Sequence, residues 1–442
     1  MKLLPALGDR LTLFTHRFIP SSFVIALVLT VVTFILALFL TGHGLYSLIQ
    51  FWGNGFWELL SFAMQMSLII ITGYIVAVSP LVSRGLSFLA GLPRGPKSSI
   101  LLMVIISISL SFLHWGLSLV GSAVMVRYLA GRQKVDYYLL VAAAYLGLGC
   151  TWHAGLSGSA TLLMATPGNF LEGDFGLIPV SRTIFGTFNL ILFSVVFLLL
   201  CFLVPNLHPA PEKTSAPVLP PEKKEKPELQ VKERTLAYFL DHSPVWGILF
   251  GGLGLIWTGW HFLSHTGSLN LDVLNFTFLF LGMLLHLRPS SFWRAAQESG
   301  KLVYGVILQF PFYAGMFGII KYSGLAEVVG NFFVRISSEK TYPLIVYWYS
   351  GLVNYFLPSG GSKWAIEAPY LLTAADNLGV AYHKVVIAYA WGDMATDLIQ
   401  PFWAIPLLSV AQIDFKDIMR YLILISAVYW VFISLVFWLI PF

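Results

Sequence analysis

Residues 342–372 read YPLIVYWYSGLVNYFLPSGGSKWAIEAPYLL, an apolar run cut in its middle by PSGGSK (Pro358 to Lys363). Each arm is only about 15 residues, short for a hydrocarbon core about 30 Å thick at a rise of about 1.5 Å per residue. A chain that enters such a core, breaks at Pro and Gly and turns back is a re-entrant hairpin. The break survives only where it is buried in protein or lines a watery cavity, because lipid offers backbone N–H and C=O groups no partner. A second stretch has the same form: Ser98 to Leu129, broken at HWGLSLVGS (His114 to Ser122).

The remainder of the chain sets the medium. Over 442 residues, 57% are hydrophobic and 11% charged, and the mean hydropathy is +0.79. Soluble domains carry roughly 25% charged residues, so a soluble globule is excluded. Apolar runs of membrane-spanning length recur from Ser21 to Phe442. The first, Ser22 to Thr41, is too long for a signal-peptide core and is followed by no cleavage-like site, so it reads as a retained helix. Cys150 and Cys201 both lie in apolar runs, which suggests neither a disulfide framework nor a thiolate metal site. The charge of +5 and pI near 9.0 reflect cytoplasmic loops facing anionic lipid rather than nucleic-acid binding.

Lysine and arginine placement decides between hairpin and crossing. With both broken stretches as hairpins, the basic residues of Met1 to Arg17, Arg84/Arg94/Lys97, Arg127/Arg132/Lys134, the central linker, Arg288/Arg294/Lys301 and Lys416/Arg420 share one face, the cytoplasmic one. The expected fold is an all-α polytopic membrane protein, an inverted repeat of discontinuous transmembrane helices with two re-entrant hairpins and about nine full crossings. Its expected parts are a cytoplasmic segment 1–20, a first repeat 21–203 with hairpin 98–131, a solvated cytoplasmic Pro/Lys/Glu-rich linker 204–234, a connecting helix 235–265, and a second, inverted repeat 266–442 with hairpin 341–375. The inner membrane is the expected location, with the C-terminus outside.

Each half repeats one order of features. A Phe-Trp pair (Phe56-Trp57, then Phe292-Trp293) leads into an apolar helix, a basic loop, the hairpin, a second interrupted stretch and a closing helix. The second interruptions are GLGCTWHAGLSGSATLLMATPGN (Gly147 to Asn169) and WGDMATDLIQPFWAIP (Trp391 to Pro406), each read as a helix unwound at its middle. Paired broken helices at matching positions point to a midplane binding site.

The site expectations follow from residue type. Ser359, Gly360, Gly361 and Ser362 offer close backbone approach, hydroxyl donors and a helix start suited to a carboxylate, with Lys363 adding charge. Ser118, Gly121 and Ser122 stand at the corresponding tip, and Ser157 and Ser159 in the Gly-rich break. Asp393 and Asp397 lie one turn apart in an apolar helix, where an unpaired carboxylate costs several kcal/mol, so they suit a coupling cation or proton. Glu367 shares that reading, and His114 and His153 can relay a proton. The alternative for Asp393 and Asp397 is a structural pair with Lys363 or another buried donor. A sodium ion, if one couples transport, is expected near Ser157 and Asp393; no other cofactor is expected. The aromatic content of 15% is read as interfacial belts and packing.

LPSGGSKWAIEAP (Leu357 to Pro369), DLIQPFWAIPLL (Asp397 to Leu408) and FWELLSFAMQM (Phe56 to Met66) resemble the short-chain fatty acid transporter family, the acetoacetate/butyrate uptake type, within the ion transporter superfamily. The resemblance covers nearly the whole chain. It implies a secondary transporter for short-chain monocarboxylates, with an elevator-type movement and a homodimer in the bilayer; symport with H⁺ or Na⁺ is expected from the buried carboxylates and not from the resemblance. The Ser-Asn-Thr hairpin signature of dicarboxylate carriers is absent, Gly361-Ser362-Lys363 standing at one tip and Leu119-Val120-Gly121 following the other. Dicarboxylate specificity and sodium coupling therefore do not carry over. Competing readings are a cation/proton antiporter using Asp393 and Asp397, a carrier of another small organic anion, a channel, and an intramembrane enzyme built on His153 and Ser157.

Overall fold

A computed structural model describes residues 20, 22–215, 235–264, 267–400 and 402–440. The expected N-terminal segment up to residue 19 and residues 216–234 of the linker lie outside the described residues. Among the described residues the regular structure is entirely helical.

The first half contains α1 (Ser22–Leu40), α2 (Leu45–Gly55), α3 (Leu60–Ala77), α4 (Pro80–Leu89), the hairpin α5 (Pro96–Leu113) and α6 (Trp115–Arg132), the broken pair α7 (Tyr137–Cys150) and α8 (Ser159–Ala165), and α9 (Thr187–Asn206). After α10 (Pro244–Leu263) the same order returns. It runs α11 (Leu271–His286), α12 (Pro289–Gly300), α13 (Tyr304–Tyr322), α14 (Leu325–Ile336), the hairpin α15 (Tyr342–Phe356) and α16 (Gly360–Leu378), the broken pair α17 (Tyr382–Ala395) and α18 (Ile405–Ala411), and α19 (Phe415–Leu439). Proline occupies the first turn of α4, α5, α10 and α12, where its missing N–H costs nothing. Asp136 caps α7 by accepting from Leu139 N at 2.8 Å.

By length and composition, 7 spans among the described residues can cross a membrane, or 8 if the bent pair α12 and α13 counts as one. This differs from the expected count of about nine. The measure admits the hairpin arm α5, while α11, at 16 residues, and the broken α17 and α18 fall short of it.

The halves pack reciprocally: α3 lies against α11 and α12, and α13 lies against α1 and α2. The approach of α13 to α2 depends on glycine, since a Cβ on Gly55 would lie 2.6 Å from Gly318 Cα. Around this frame sit the hairpins and broken helices. α7 and α17 are buried for most of their length, as their lack of a polar face requires.

Both hairpins form, with arms of 18 and 18 residues in the first and 15 and 19 in the second, so that all but the first arm of the second hairpin exceed the expected length. In the second hairpin, Tyr342 near the start of α15 donates to Leu371 O late in α16 at 2.7 Å, which ties the arms antiparallel. The first break is confined to His114 (φ −164°, ψ 116°) rather than spanning His114 to Ser122. Gly116, Ser118, Gly121 and Ser122 are helical residues that let neighbouring elements approach. Ser118 Oγ donates to Ser107 O at 2.8 Å across the two arms, and a Cβ on Gly121 would lie 2.9 Å from Leu110 Cδ1. The broken backbone is satisfied locally, as lipid requires: Trp115 N donates to Ser157 Oγ at 2.9 Å and Leu156 N to Phe112 O at 2.7 Å.

The linker also starts later than expected. His208 Nε2 accepts from Asp136 N at 3.0 Å, Ser215 N donates to Asp136 Oδ2 at 2.9 Å, and Tyr137 N donates to Ser215 O at 3.2 Å. Residues 208–215 are thereby clipped to the start of α7.

Candidate functional site

α16 begins where the second hairpin turns. Ser359 is extended (φ −152°, ψ 94°), and the first bond of the helix is Lys363 N to Ser359 O at 2.9 Å. The N–H groups of Gly360, Gly361 and Ser362 therefore have no carbonyl behind them, as at any helix start. Ser362 Oγ donates to Ser359 Oγ, which leaves the Ser359 hydrogen available to donate elsewhere. Glycine is required at 360, because a Cβ would lie 2.7 Å from both Asp393 Oδ2 and Trp152 Cη2. Its carbonyl accepts from Tyr389 OH at 2.7 Å.

Directly behind this turn lies a buried polar cluster that joins the two halves. The fully buried Lys363 ammonium donates to Ser350 O at 2.8 Å and Ser350 Oγ at 2.9 Å. It pairs with Asp393 Oδ1 at 2.8 Å and lies 4.6 Å from the centre of the Tyr389 ring. Asp393 Oδ2 is 2.9 Å from His153 Nδ1, and His153 Nε2 is 3.0 Å from Ala160 N. A backbone N–H can only donate, so Nε2 carries the lone pair and Nδ1 the proton: His153 is a neutral imidazole donating to Asp393. One ammonium and one carboxylate cancel.

Asp397 lies beyond the end of α17, in a tight turn (Asp397–Ile399), not inside the helix as expected. It accepts from two neutral donors, Trp152 Nε1 at 3.0 Å and Asn354 Nδ2 at 2.7 Å. Glu367, one turn past Lys363, is buried beside Tyr349, and its Oε2 has no hydrogen-bond partner. Among the described residues neither Asp397 nor Glu367 forms an ion pair.

The hairpin turn borders a narrow cleft between the hairpin and the α3 and α13 frame. Ser159, Ser359, Gly360 and Gly361 form its polar end, beside the indoles of Trp115 and Trp152. Met66 and Ile70 of α3 and Val306 and Phe310 of α13 form the apolar end. None of the residues lining this cleft is charged. Past Trp403 it continues into a wider vestibule, whose wall includes Lys301, Tyr304 and Gln309. Trp115 stands edge-on to Trp152 and Trp403, with ring centroids 6.1 and 5.6 Å away.

Of the residues expected at the site, Ser159, Ser359, Gly360 and Gly361 line the cleft, and Ser362 is buried one step behind. Lys363 does not line it, because Ser350 and Asp393 hold its ammonium inside the protein. Ser118, Gly121 and Ser122 lie within the first hairpin, away from the cleft lining. Ser157 braces the first tip through Trp115 N and makes no bond to His153, so the enzyme-like pair does not form. His114 caps α6 by accepting from Leu117 N at 3.4 Å and packs 4.2 Å from the Phe278 ring. At the expected sodium position, Asp393 Oδ1 lies 2.8 Å from the Lys363 ammonium and Oδ2 2.9 Å from His153 Nδ1, and the Ser157 hydroxyl accepts from Trp115 N.

Ser350 and Asn354, which hold Lys363 and Asp397, were not among the expected residues; nor were the three indoles or the Val306 and Phe310 wall. The signal for the first two was spacing, because Ser350 and Asn354 stand one turn apart on the arm facing α16.

The family model described as "Short chain fatty acid transporter" matches residues 3–440. A protein of Escherichia coli bearing the name of a short-chain fatty acid transporter is 35% identical over 416 residues, covering 93% of this chain and 94% of that one. One of Haemophilus influenzae with the same name is 33% identical over 422 residues, with 93% and 94% covered. Among solved structures, the Alcanivorax borkumensis YdaH transporter matches with a TM-score of 0.63 at 16% identity, covering 95% of this chain and 98% of that chain. Neisseria gonorrhoeae MtrF, described with a class of antimetabolite efflux pumps, matches with a TM-score of 0.62 at 16% identity, covering 97% of each. These two structures share the fold.

Proposed function

The chain belongs to the short-chain fatty acid transporter family, and from that premise we propose that it carries one short monocarboxylate at a time, butyrate or acetoacetate, through the cleft at the start of α16. The observation that carries the reading is the polar end of that cleft. The backbone N–H groups of Gly360 and Gly361, with no carbonyl behind them, and the Ser359 hydroxyl lie there, in a lining without charge. A helix start of this kind suits one carboxylate. A second carboxylate would lie against Val306, Phe310, Met66 or Ile70, where burying an unpaired charge is heavily penalised.

Coupling to H⁺ or Na⁺ is assigned to Asp397 and Glu367, buried carboxylates that have no paired cation among the described residues. Asp393 is already neutralised by Lys363, and its role is to hold the turn. The same proposal places the N-terminus and linker in the cytoplasm and the C-terminus outside. It has the hairpin-bearing helices moving against the α3 and α13 frame, and a homodimer as the working unit. The basic clusters Arg84/Arg94/Lys97, Arg127/Arg132/Lys134, Arg288/Arg294/Lys301 and Lys416/Arg420 support this orientation.

The test is uptake of labelled butyrate and acetoacetate into proteoliposomes, with Na⁺ and pH gradients imposed separately. Saturable uptake driven by one gradient is expected. Cation flux that proceeds unchanged without any organic anion would replace this reading with an antiporter.

A further inference from the structure

Resting on the monocarboxylate reading, we infer that Val306 and Phe310 of α13 set the acyl-chain length this protein accepts. The cleft has a polar end on the hairpin side and an apolar end on α3 and α13. A carboxylate held at Ser359 and Gly360 directs its tail toward that apolar end. Val306 and Phe310 are one helical turn apart, hence on one face of α13, and both line the cleft and the vestibule beyond it.

The wall is stiff where Phe310 stands. Its ring packs edge-on against Phe62 of α3 at 5.7 Å and Tyr313 at 6.1 Å, and Phe62 in turn lies 6.0 Å from Phe170. Phe310 is buried, so a longer tail cannot push it aside without displacing three other rings. Met66, a flexible side chain that also lines the cleft, sits against Gly361, where a Cβ would lie 3.4 Å from its sulfur. The vestibule wall beyond carries Gln309, Tyr304 and Lys301 among mostly apolar neighbours, Leu119, Leu302, Leu357 and Ile405. The packed ring of Phe310, rather than a polar boundary, is thus what limits the tail.

The experiment measures binding and uptake of acetate, propionate, butyrate, hexanoate and octanoate by wild type, Phe310→Ala and Val306→Phe in proteoliposomes, with detergent-purified protein checked for monodispersity. Each methylene that finds room is worth about 0.8 kcal/mol, or about fourfold in affinity. Phe310→Ala is expected to improve the hexanoate-to-butyrate affinity ratio at least tenfold, and Val306→Phe to lower the butyrate-to-acetate ratio by a similar factor. The two variants act in opposite directions, so misfolding of either leaves the other to decide. If folded variants keep the wild-type chain-length profile, the inference is wrong while monocarboxylate transport stands. If wild type binds no monocarboxylate of any length, both fall.

Discussion

Lys363 and Asp393 lie 2.8 Å apart in the interior, on α16 and α17, with both side chains at or near zero exposure. A pair so placed is costly to break from one side, since the surviving charge is stranded without water. Lys363→Met should therefore destabilise the folded protein by about 3–5 kcal/mol. The double variant Lys363→Met/Asp393→Asn should recover much of that loss. Thermal unfolding in detergent, run as a double-mutant cycle, checks the coupling. A Lys363→Met protein of wild-type stability with only a raised half-saturation constant would return the lysine to a direct role in substrate binding.

Ser359 is expected to matter through the hydrogen that Ser362 leaves available. A hydrogen bond to a charged group is worth about 1.5–3 kcal/mol, so Ser359→Ala should raise the butyrate half-saturation constant by about ten- to a hundredfold. Ser362→Ala should have a smaller effect of the same sign, because it removes only the orientation of that hydroxyl. Initial rates against butyrate concentration distinguish the two.

Gly360→Ala should abolish transport and lower stability together. The added methyl would stand 2.7 Å from Asp393 Oδ2 and 2.8 Å from His153 Cε1, and neither can move without breaking the cluster. Expression level and uptake, compared with a neighbouring Ala365→Gly control, give the reading.

Asp397→Asn keeps the acceptor for Asn354 or Trp152 but removes the charge. Gradient-driven accumulation of butyrate should be lost while exchange of labelled for unlabelled butyrate persists, as expected when only coupling is removed. Glu367→Gln separates the roles: if Glu367 also carries the coupling ion, the same split appears, and if it is only structural, accumulation is retained.

Asp136 both caps α7 and holds the start of the linker through Ser215. Asp136→Ala should cost about 1 kcal/mol from the cap alone. It should also open residues 208–215 to limited proteolysis in inside-out vesicles. Cleavage there that stays as slow as in wild type would show that the clip does not depend on Asp136.

Much of the fold was legible because a bilayer leaves few ways to arrange a broken apolar run. PSGGSK and the Gly-rich stretch near Ser157 could only be buried turns, and both form breaks in the helical structure. The extent of the first break was not legible. Gly116, Ser118, Gly121 and Ser122 look like helix breakers in sequence, yet small residues in membrane helices also serve close packing, and here they do. Lys363 had two sequence readings, a ligand beside the turn and a structural partner of Asp393, and spacing alone does not choose between them; the structure takes the second, with the carboxylate 30 positions later beside it. Trp115, Trp152 and Trp403 were absorbed into the general aromatic content, and nothing in their spacing separates an indole facing a cleft from one anchoring a membrane interface.

The reciprocal packing of α3 and α13 also bears on ancestry. Each half leans on the other's first two helices, so a chain ending at the linker would leave α3 without α11 and α12 and would expose the glycine-bearing face of α2. A half-length forebear of this protein would have needed a sister molecule threaded through the membrane in the opposite sense, and gene fusion, with α10 as the added crossing, would have made that partnership permanent. The two halves made as separate polypeptides, divided within residues 216–234, should accumulate together and be degraded when either is made alone.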